Sequence, residues 1–170
     1  MRIIIEEYNP DWKKQFEKEK QILHRILSGI DLKIEHVGST SVNGLGAKPI
    51  IDIMIGLANF NVADWLVENM SNSGYEYISK YENIFPHRRY FIKIVKGKIT
   101  HQIHMVAEGG DFWKRTILFR DQLRKSDEDR RNYFEHKKKL SEQDWNYGND
   151  YADAKSEFIR TVVEKAIANL

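Results

Sequence analysis

The chain has 170 residues, 27 of them basic and 25 acidic, for a net charge of +2. That balance argues against general nucleic-acid binding driven by bulk charge, but it leaves room for a pocket that takes one small phosphorylated molecule. With no cysteine, disulfides, thiolate chemistry and Cys-based zinc sites are excluded, while 41% hydrophobic and 12% aromatic residues are enough to fill a core.

In chain order, residues 2–5 read as a short β-branched strand. Asn9-Pro10 reads as a helix start, with Asn as the cap and Pro at the first helical position. Trp12, Phe16, Leu23, Ile26 and Leu27 then fall on one face of an amphipathic helix over roughly 10–28, ended by Ser28-Gly29. Leu32 to Val37 is a strand, and Gly38-Ser39-Thr40-Ser41 a turn carrying three hydroxyls. Pro49 opens the most apolar strand, Ile50 to Ile55, closed by Gly56; its continuous apolar run predicts burial on both faces at the centre of a sheet. Asp52 inside that run is the anomaly. The run is also too short to span a bilayer, and the apolar residues after Met1 are too few for a signal peptide, so the expected location is cytoplasmic.

A helix follows over Asn61 to Asn72, with Val62, Trp65, Leu66 and Met70 on one side and Ser73-Gly74 at its end. Tyr75 to Ile78 alternates like a strand. Arg89 to Val95 and Lys98 to Val106 form a hairpin around Lys96-Gly97. From 111 onward the periodicity is helical, with helices placed near 111–125, 127–145 and 149–169, and Ser126 with Asp129 resembles a capping box. Strands first and mostly helices last predict an α+β fold: a mixed sheet with flanking helices and a C-terminal helical segment. One domain is expected over 1–170, with a core of about 1–108 and a tail of about 109–170.

The chemistry-bearing signal is Val37-Gly38-Ser39, then Asp52 after twelve intervening residues. A glycine lets the backbone approach phosphate closely, hydroxyls and turn amides can bind its oxygens, and a carboxylate can hold a divalent metal. The arrangement resembles nucleotidyltransferases of the polymerase-beta-like class, which carry Gly-Ser after the first core strand and Asp-x-Asp or Asp-x-Glu on the next. The longer string is more specific. Ile34-Glu35-His36-Val37-Gly38-Ser39-Thr40-Ser41-Val42, Gly44-Leu45 and Ala47-Lys48-Pro49-Ile50-Ile51-Asp52-Ile53 resemble the signature of the GrpB family. So do Tyr8-Asn9-Pro10 with Trp12 and Phe16, Gly74-Tyr75, and Thr100-His101 with Ile103 to Val106. The match continues through Phe119-Arg120, Leu123-Arg124, Tyr133, Lys137, Tyr151 and Lys155, so that it runs from about residue 5 to 165. The resemblance implies a nucleotidyltransferase-like fold, in a domain that some organisms fuse to dephospho-coenzyme A kinase. The chain departs from the family at Asn43, where Pro is common. It departs from the superfamily at Met54, which occupies the place of the second carboxylate, an acid that GrpB proteins generally lack.

Because Met54 removes one acid, a conventional two-metal transfer needs another ligand. On the later strand Gln102, His104 and Val106 share one face and His101, Ile103 and Met105 the other, so His104 is the candidate substitute and His101 points away. The expected metal set is Asp52 and His104 with Glu35, holding a divalent ion, Mg or Mn, or a transition metal given the imidazole; a neutral His104 is alternatively a general base. The expected phosphate or substrate contacts are Gly38, Ser39, Thr40, Lys48, one of Arg88 and Arg89, Tyr133, Lys137 and Lys155. Each has an ordinary alternative. Asp52 can cap a helix or pair with Lys48; Ser39 can be a plain turn hydroxyl; His36 and His104 can be bonded core residues. Lys48 can be a snorkelling surface lysine, and Arg88-Arg89 a solvated turn. Tyr133 with Lys137, and Tyr151 with Lys155, lie four apart on a helix face and can simply pack there. Three functions follow: a metal-dependent nucleotidyltransferase-like enzyme acting on a small phosphorylated or nucleotide substrate, a non-catalytic module binding the same ligand class, or a His-metal hydrolase.

Overall fold

The computed structural model describes residues 2–170, apart from the side chain of Asn149. Strand β2, Ile51–Leu57, lies inside a five-stranded mixed sheet and is almost wholly buried. Its neighbours are β1, Leu32–Val37, antiparallel, and β5, Lys98–Ala107, parallel. Beyond β5 come β4, Arg88–Val95, and the two-residue β3, Glu76–Tyr77, each antiparallel to the strand before it, so the order across the sheet is β1-β2-β5-β4-β3. The parallel β2–β5 pair needs a crossover, and helix α2, Ala63–Asn72, lies within it. The β4–β5 hairpin turns at Lys96 and Gly97, both at positive φ as a two-residue primed turn requires.

One face of the sheet holds the main core. Ile34, Ile51, Ile53, Ile55, Phe91, Ile103 and Met105 pack there with Trp12, Phe16 and Leu23 of helix α1, Asp11–Ile26, and with Leu66 and Met70 of α2. Asn9 caps α1 as expected, its Oδ1 accepting from the Asp11 amide at 2.9 Å. The same face carries a buried polar knot. Glu19, on the inner side of α1, accepts from the Tyr75 hydroxyl and from Lys93 Nζ, which lies 3.0 Å from each carboxylate oxygen. His101 joins this face, held by Thr100 Oγ1 at 2.8 Å and kept uncharged by burial.

The opposite face presents Val37, Met54 and Val106 to Phe112, Trp113 and Ile117 of helix α3, Asp111–Lys125. Gly56 makes this approach possible, because a side chain there would run into the Trp113 ring. Helices α4, Asp127–Ser141, and α5, Gly148–Ala168, complete the tail. With α3 they enclose a second cluster of Val42, Leu45, Leu123 and Tyr133, packed by Phe119, Phe134, Phe158 and Ile159. Ser126 caps α4 by accepting from the Asp129 amide at 3.1 Å. Among the described residues no helix is long and apolar enough to cross a membrane.

Several expected elements are corrected. Residues 2–5 form no strand; the only pairing nearby is a single bridge of Glu6 to Ala47, and Ile4 is exposed. Gly56 lies within β2 rather than closing it. Trp65 faces solvent at 77% exposure, because α2 buries the narrower stripe of Ala63, Leu66 and Met70. The first tail helix ends as expected, but α4 stops at Ser141, short of 145.

The polar knot makes a measurable contribution. Glu19→Ala would leave the buried Tyr75 hydroxyl and Lys93 without their acceptor, at a cost of about 2–3 kcal/mol. The expected result is a lower urea midpoint with an unchanged slope; an unmoved midpoint would remove the knot from the determinants of the fold.

Candidate functional site

The turn after β1 is built by its own polar groups. Gly38 sits at φ 71°, open to glycine and strained for other residues, and a side chain there would overlap the Asp52 carboxyl. From Gly38 the chain enters a single 3-10 turn, Ser39–Ser41, closed by the Ser41 amide and hydroxyl, which both donate to the Gly38 carbonyl. Arg124 of α3 anchors it from outside, with Nε and a terminal nitrogen on the Ser41 carbonyl at 3.0 and 2.9 Å.

Inside the turn lies a cavity of about 370 Å³ between the sheet and the tail helices. Gly38, Ser39, Asp52, His104, Tyr133 and Lys155 all line it, with Phe112, Arg115, Thr116 and Phe119 of α3 opposite. The register explains the meeting. Val37 pairs with Asp52 across β1–β2, and Met54 pairs with His104 across β2–β5, so Asp52 and His104 project from one face of adjacent strands. Asp52 keeps partial exposure, toward the cavity, and among the described residues it has no hydrogen bond and no ion pair.

Three lysines converge on this acid. Lys137, only 2% exposed, has its Nζ 3.0 Å from Ser39 Oγ and 2.5 Å from the Gly46 carbonyl. Tyr133, buried beside it, lines the same cavity, with its ring centre 5.0 Å from Lys137 Nζ. Lys155 and Lys48, both half-buried, lie 4.6 and 5.2 Å from the Tyr151 ring centre. None of the three has a carboxylate within ion-pairing distance among the described residues. Their electrostatics record the crowding. Burial pushes Asp52 up to about 6, although Lys155, Lys48 and Lys137 pull the other way. Burial, then the neighbouring cations, push Lys137 down to about 7 and Lys155 to about 8; burial also lowers Lys48.

His104 occupies the other end of the cavity. Its ring stacks on Tyr90 at 5.2 Å and leans on Phe112 at 5.7 Å; burial, then the charge of Arg88, push it down to about 3. It is therefore neutral, and its buried Nδ1 has no partner. Arg88 is the member of the arginine pair on this side. Its guanidinium lies over Phe85, Tyr90 and Phe112, with no carboxylate in reach among the described residues. Arg89 points away and is held by Asp64 at 2.8 Å and by the Pro86 carbonyl.

Two expected site residues are placed elsewhere. Glu35 pairs with Arg120 at 2.7 Å, and Arg120 also holds Asp121 and the His36 carbonyl, so the Glu35 carboxylate is engaged by the tail. Thr40 is buried on the far side of the turn, 2.9 Å from His36 Nε2. Thr40 and His36 border a larger polar cleft of about 640 Å³ between α1 and the α3–α4 junction. The groups there are mostly spent on one another: Arg130 pairs with Asp127, and Arg124 holds the turn. Among the described residues no three His, Asp or Glu side chains gather as a metal cage. Tyr90, Phe112 and Thr116 went unmarked in the sequence. Phe112, Thr116 and Phe119 do recur at the spacing of one helical face, but nothing local shows that this face looks onto a cavity.

The model of the family described as GrpB protein matches residues 2–165. The chain belongs to the GrpB family. It is 36% identical over 167 residues to a UPF0157 protein of Halalkalibacterium halodurans, covering 98% of this chain and 83% of that one. It is 30% identical to the glutamate-rich protein GrpB of Alkalihalophilus pseudofirmus, covering 96% and 95%. The crystal structure of GrpB from Enterococcus faecalis superposes with a TM-score of 0.86 at 35% identity over 98% of each chain. The Cid1 poly(U) polymerase superposes at 0.51 with 14% identity, over 80% of this chain and 43% of that one, which shows a shared nucleotidyltransferase-like fold and no more.

The raised acid yields a signed pH prediction. Below about pH 4 Asp52 is neutral whether folded or unfolded; between about 4 and 6 only the folded protein keeps the proton; above about 6 the folded state carries the full cost of the ionised group. Stability tied to Asp52 is thus lost as pH rises through that window. Asp52→Asn should match the parent near pH 3.5 and exceed it by about 1–3 kcal/mol at pH 7.5 in urea melts. Equal stability at both values would contradict the assigned environment.

Proposed function

We propose that the cavity binds a small phosphorylated molecule of the nucleotide class, with its phosphates against Ser39, Lys48 and Lys155, and Lys137 behind Ser39. The observation that carries this reading is the charge imbalance: three lysines without carboxylate partners act on one acid, and Lys155 lines the cavity with it. Unpaired cations in low dielectric are costly to a protein unless something anionic uses them. A phosphate chain supplies the missing charge. The neutral, aromatic-flanked His104 end, with Arg88 beside it, suits the less charged part of such a ligand.

A resident metal fits the residues poorly. Asp52 and His104 share a face, but the position between them, where a second acid belongs, holds fully buried Met54 among Val37 and Val106, and Glu35 is tied to Arg120. A protein-only magnesium or manganese site asks for more oxygen ligands than this. A His-metal hydrolase asks for a third protein donor. Group transfer in this cavity therefore relies on the lysines to neutralise charge. The same Met54 favours a second reading, in which the protein binds the ligand and does no chemistry on it.

Calorimetric titration with ATP, GTP, CTP and UTP, each in Mg²⁺, in Mn²⁺ and in chelator, tests the proposal. At least one nucleotide should bind, with affinity that falls as salt rises. Lys155→Met should weaken that binding by about tenfold or more, the worth of one charged hydrogen bond. Lack of binding in every condition, with the protein folded, overturns it. Turnover that survives in Asp52→Asn would remove that acid from the chemistry, and absence of any turnover with binding intact would establish the second reading.

A further inference from the structure

We propose that Ser39 is a nucleophile and Lys137 its general base, a serine–lysine dyad able to take a phosphoryl or nucleotidyl group from a phosphoanhydride ligand onto Ser39 Oγ. This rests on the phosphate reading above for its substrate, but its geometry is independent of that reading. A lysine that merely neutralises phosphate needs to reach the ligand; a lysine that acts as base needs to touch the nucleophile, lose its proton near neutral pH and have no acid holding that proton on.

Lys137 meets these conditions. It is buried to 2% exposure in the middle of α4, and its Nζ is 3.0 Å from Ser39 Oγ. Its second contact, the Gly46 carbonyl at 2.5 Å, can only accept, so one amine hydrogen is fixed there and the lone pair is free to face the serine. Burial first, then the charges of Lys155 and Lys48, oppose its protonation, and Asp52 offsets them only in part, which brings it down to about 7. The Tyr133 ring, 5.0 Å from Lys137 Nζ, packs against the amine from its own helix and acts as a positioning residue. Ser39 itself lines the cavity at the head of the 3-10 turn, where its hydroxyl is open to a ligand there.

The step balances without any further reactant. Ser39 Oγ attacks phosphorus; the new O–P bond forms as the anhydride P–O bond breaks. The Ser39 proton passes to neutral Lys137 Nζ and from there to the departing phosphate oxygen. A water or hydroxyl acceptor then takes the group from Ser39 by the reverse proton path, restoring both side chains. Asp52, no longer required as one of a metal-binding pair, sits where it can accept a hydrogen bond from that acceptor.

The test uses diisopropyl fluorophosphate as a probe that needs no knowledge of the ligand: Ser39 Oγ bonds to phosphorus and fluoride leaves. Intact-mass and peptide analysis should show one added diisopropylphosphoryl group, on Ser39, at a rate that climbs as pH goes from about 6 to 8, following loss of the Lys137 proton. Lys137→Met should slow labelling by about a hundredfold or more. Lys137→Arg, which keeps the charge but gives up the proton only far above that range, should be as slow, whereas it would rescue a purely electrostatic role. An inert Ser39 in folded protein, labelling that is unaltered in Lys137→Met, or rescue by Arg would each overturn the dyad. If the Met variant does not fold, the parent decides: a flat pH profile overturns the proposal. Nucleotide binding that persists while Ser39 stays inert overturns the nucleophile and spares the binding reading; labelling of Ser39 without binding of any nucleotide supports the dyad and overturns the phosphate reading.

Discussion

The site depends on one steric allowance, the contact between Gly38 and Asp52. The chain leaves β1 at positive φ, directly over a carboxyl from the neighbouring strand, and only a residue without a side chain can sit there. That contact puts the Ser39 hydroxyl beside the acid and inside reach of Lys137 from the far helical tail. Any residue larger than glycine would have to push the turn off the strand, and the serine, its lysine and the acid would part company together.

The second constraint is electrostatic. The lysines come from the loop before β2 and from two tail helices, so the cluster exists only when the tail is docked on the sheet. Docking is driven by apolar contacts, those of Met54, Val37 and Val106 with α3 and of Tyr133, Leu45 and Leu123 among the tail helices, together with the Arg120 and Arg124 tethers to β1 and its turn. These contacts carry the burden of bringing like charges together, a burden visible in Lys137 and Lys155 lying below the ordinary lysine range and Asp52 above the ordinary carboxyl range. Natural sites that look unfavourable in an empty protein are commonly those shaped for a ligand.

Much of this was legible in the sequence. The continuous apolar run around Asp52 announced a central strand, and the period-two reading of residues 101–106 correctly separated His101 from His104. Ser39, Asp52 and His104 do line one cavity. What one-dimensional patterns could not supply was competition for partners. Nothing near Glu35 shows that Arg120 will claim it, since they are 85 residues apart, and nothing near Thr40 shows that its hydroxyl turns inward to His36. The choice between Arg88 and Arg89 likewise waited on the acids that the fold brings to Arg89. The first residues misled because β-branched side chains signal strand propensity, while pairing needs a neighbour with free backbone groups, and only Glu6 finds one.

Met54 bears on how such a protein can change. Its side chain is sealed between two valines and the aromatic face of α3, with no exposed surface. An aspartate introduced there alone would meet a burial penalty of several kcal/mol, comparable with the whole stability of a domain this size. Installing a paired-acid centre would require Trp113 and Ile117 to retreat in concert, so a single exchange at this position closes off the very geometry it would seem to restore.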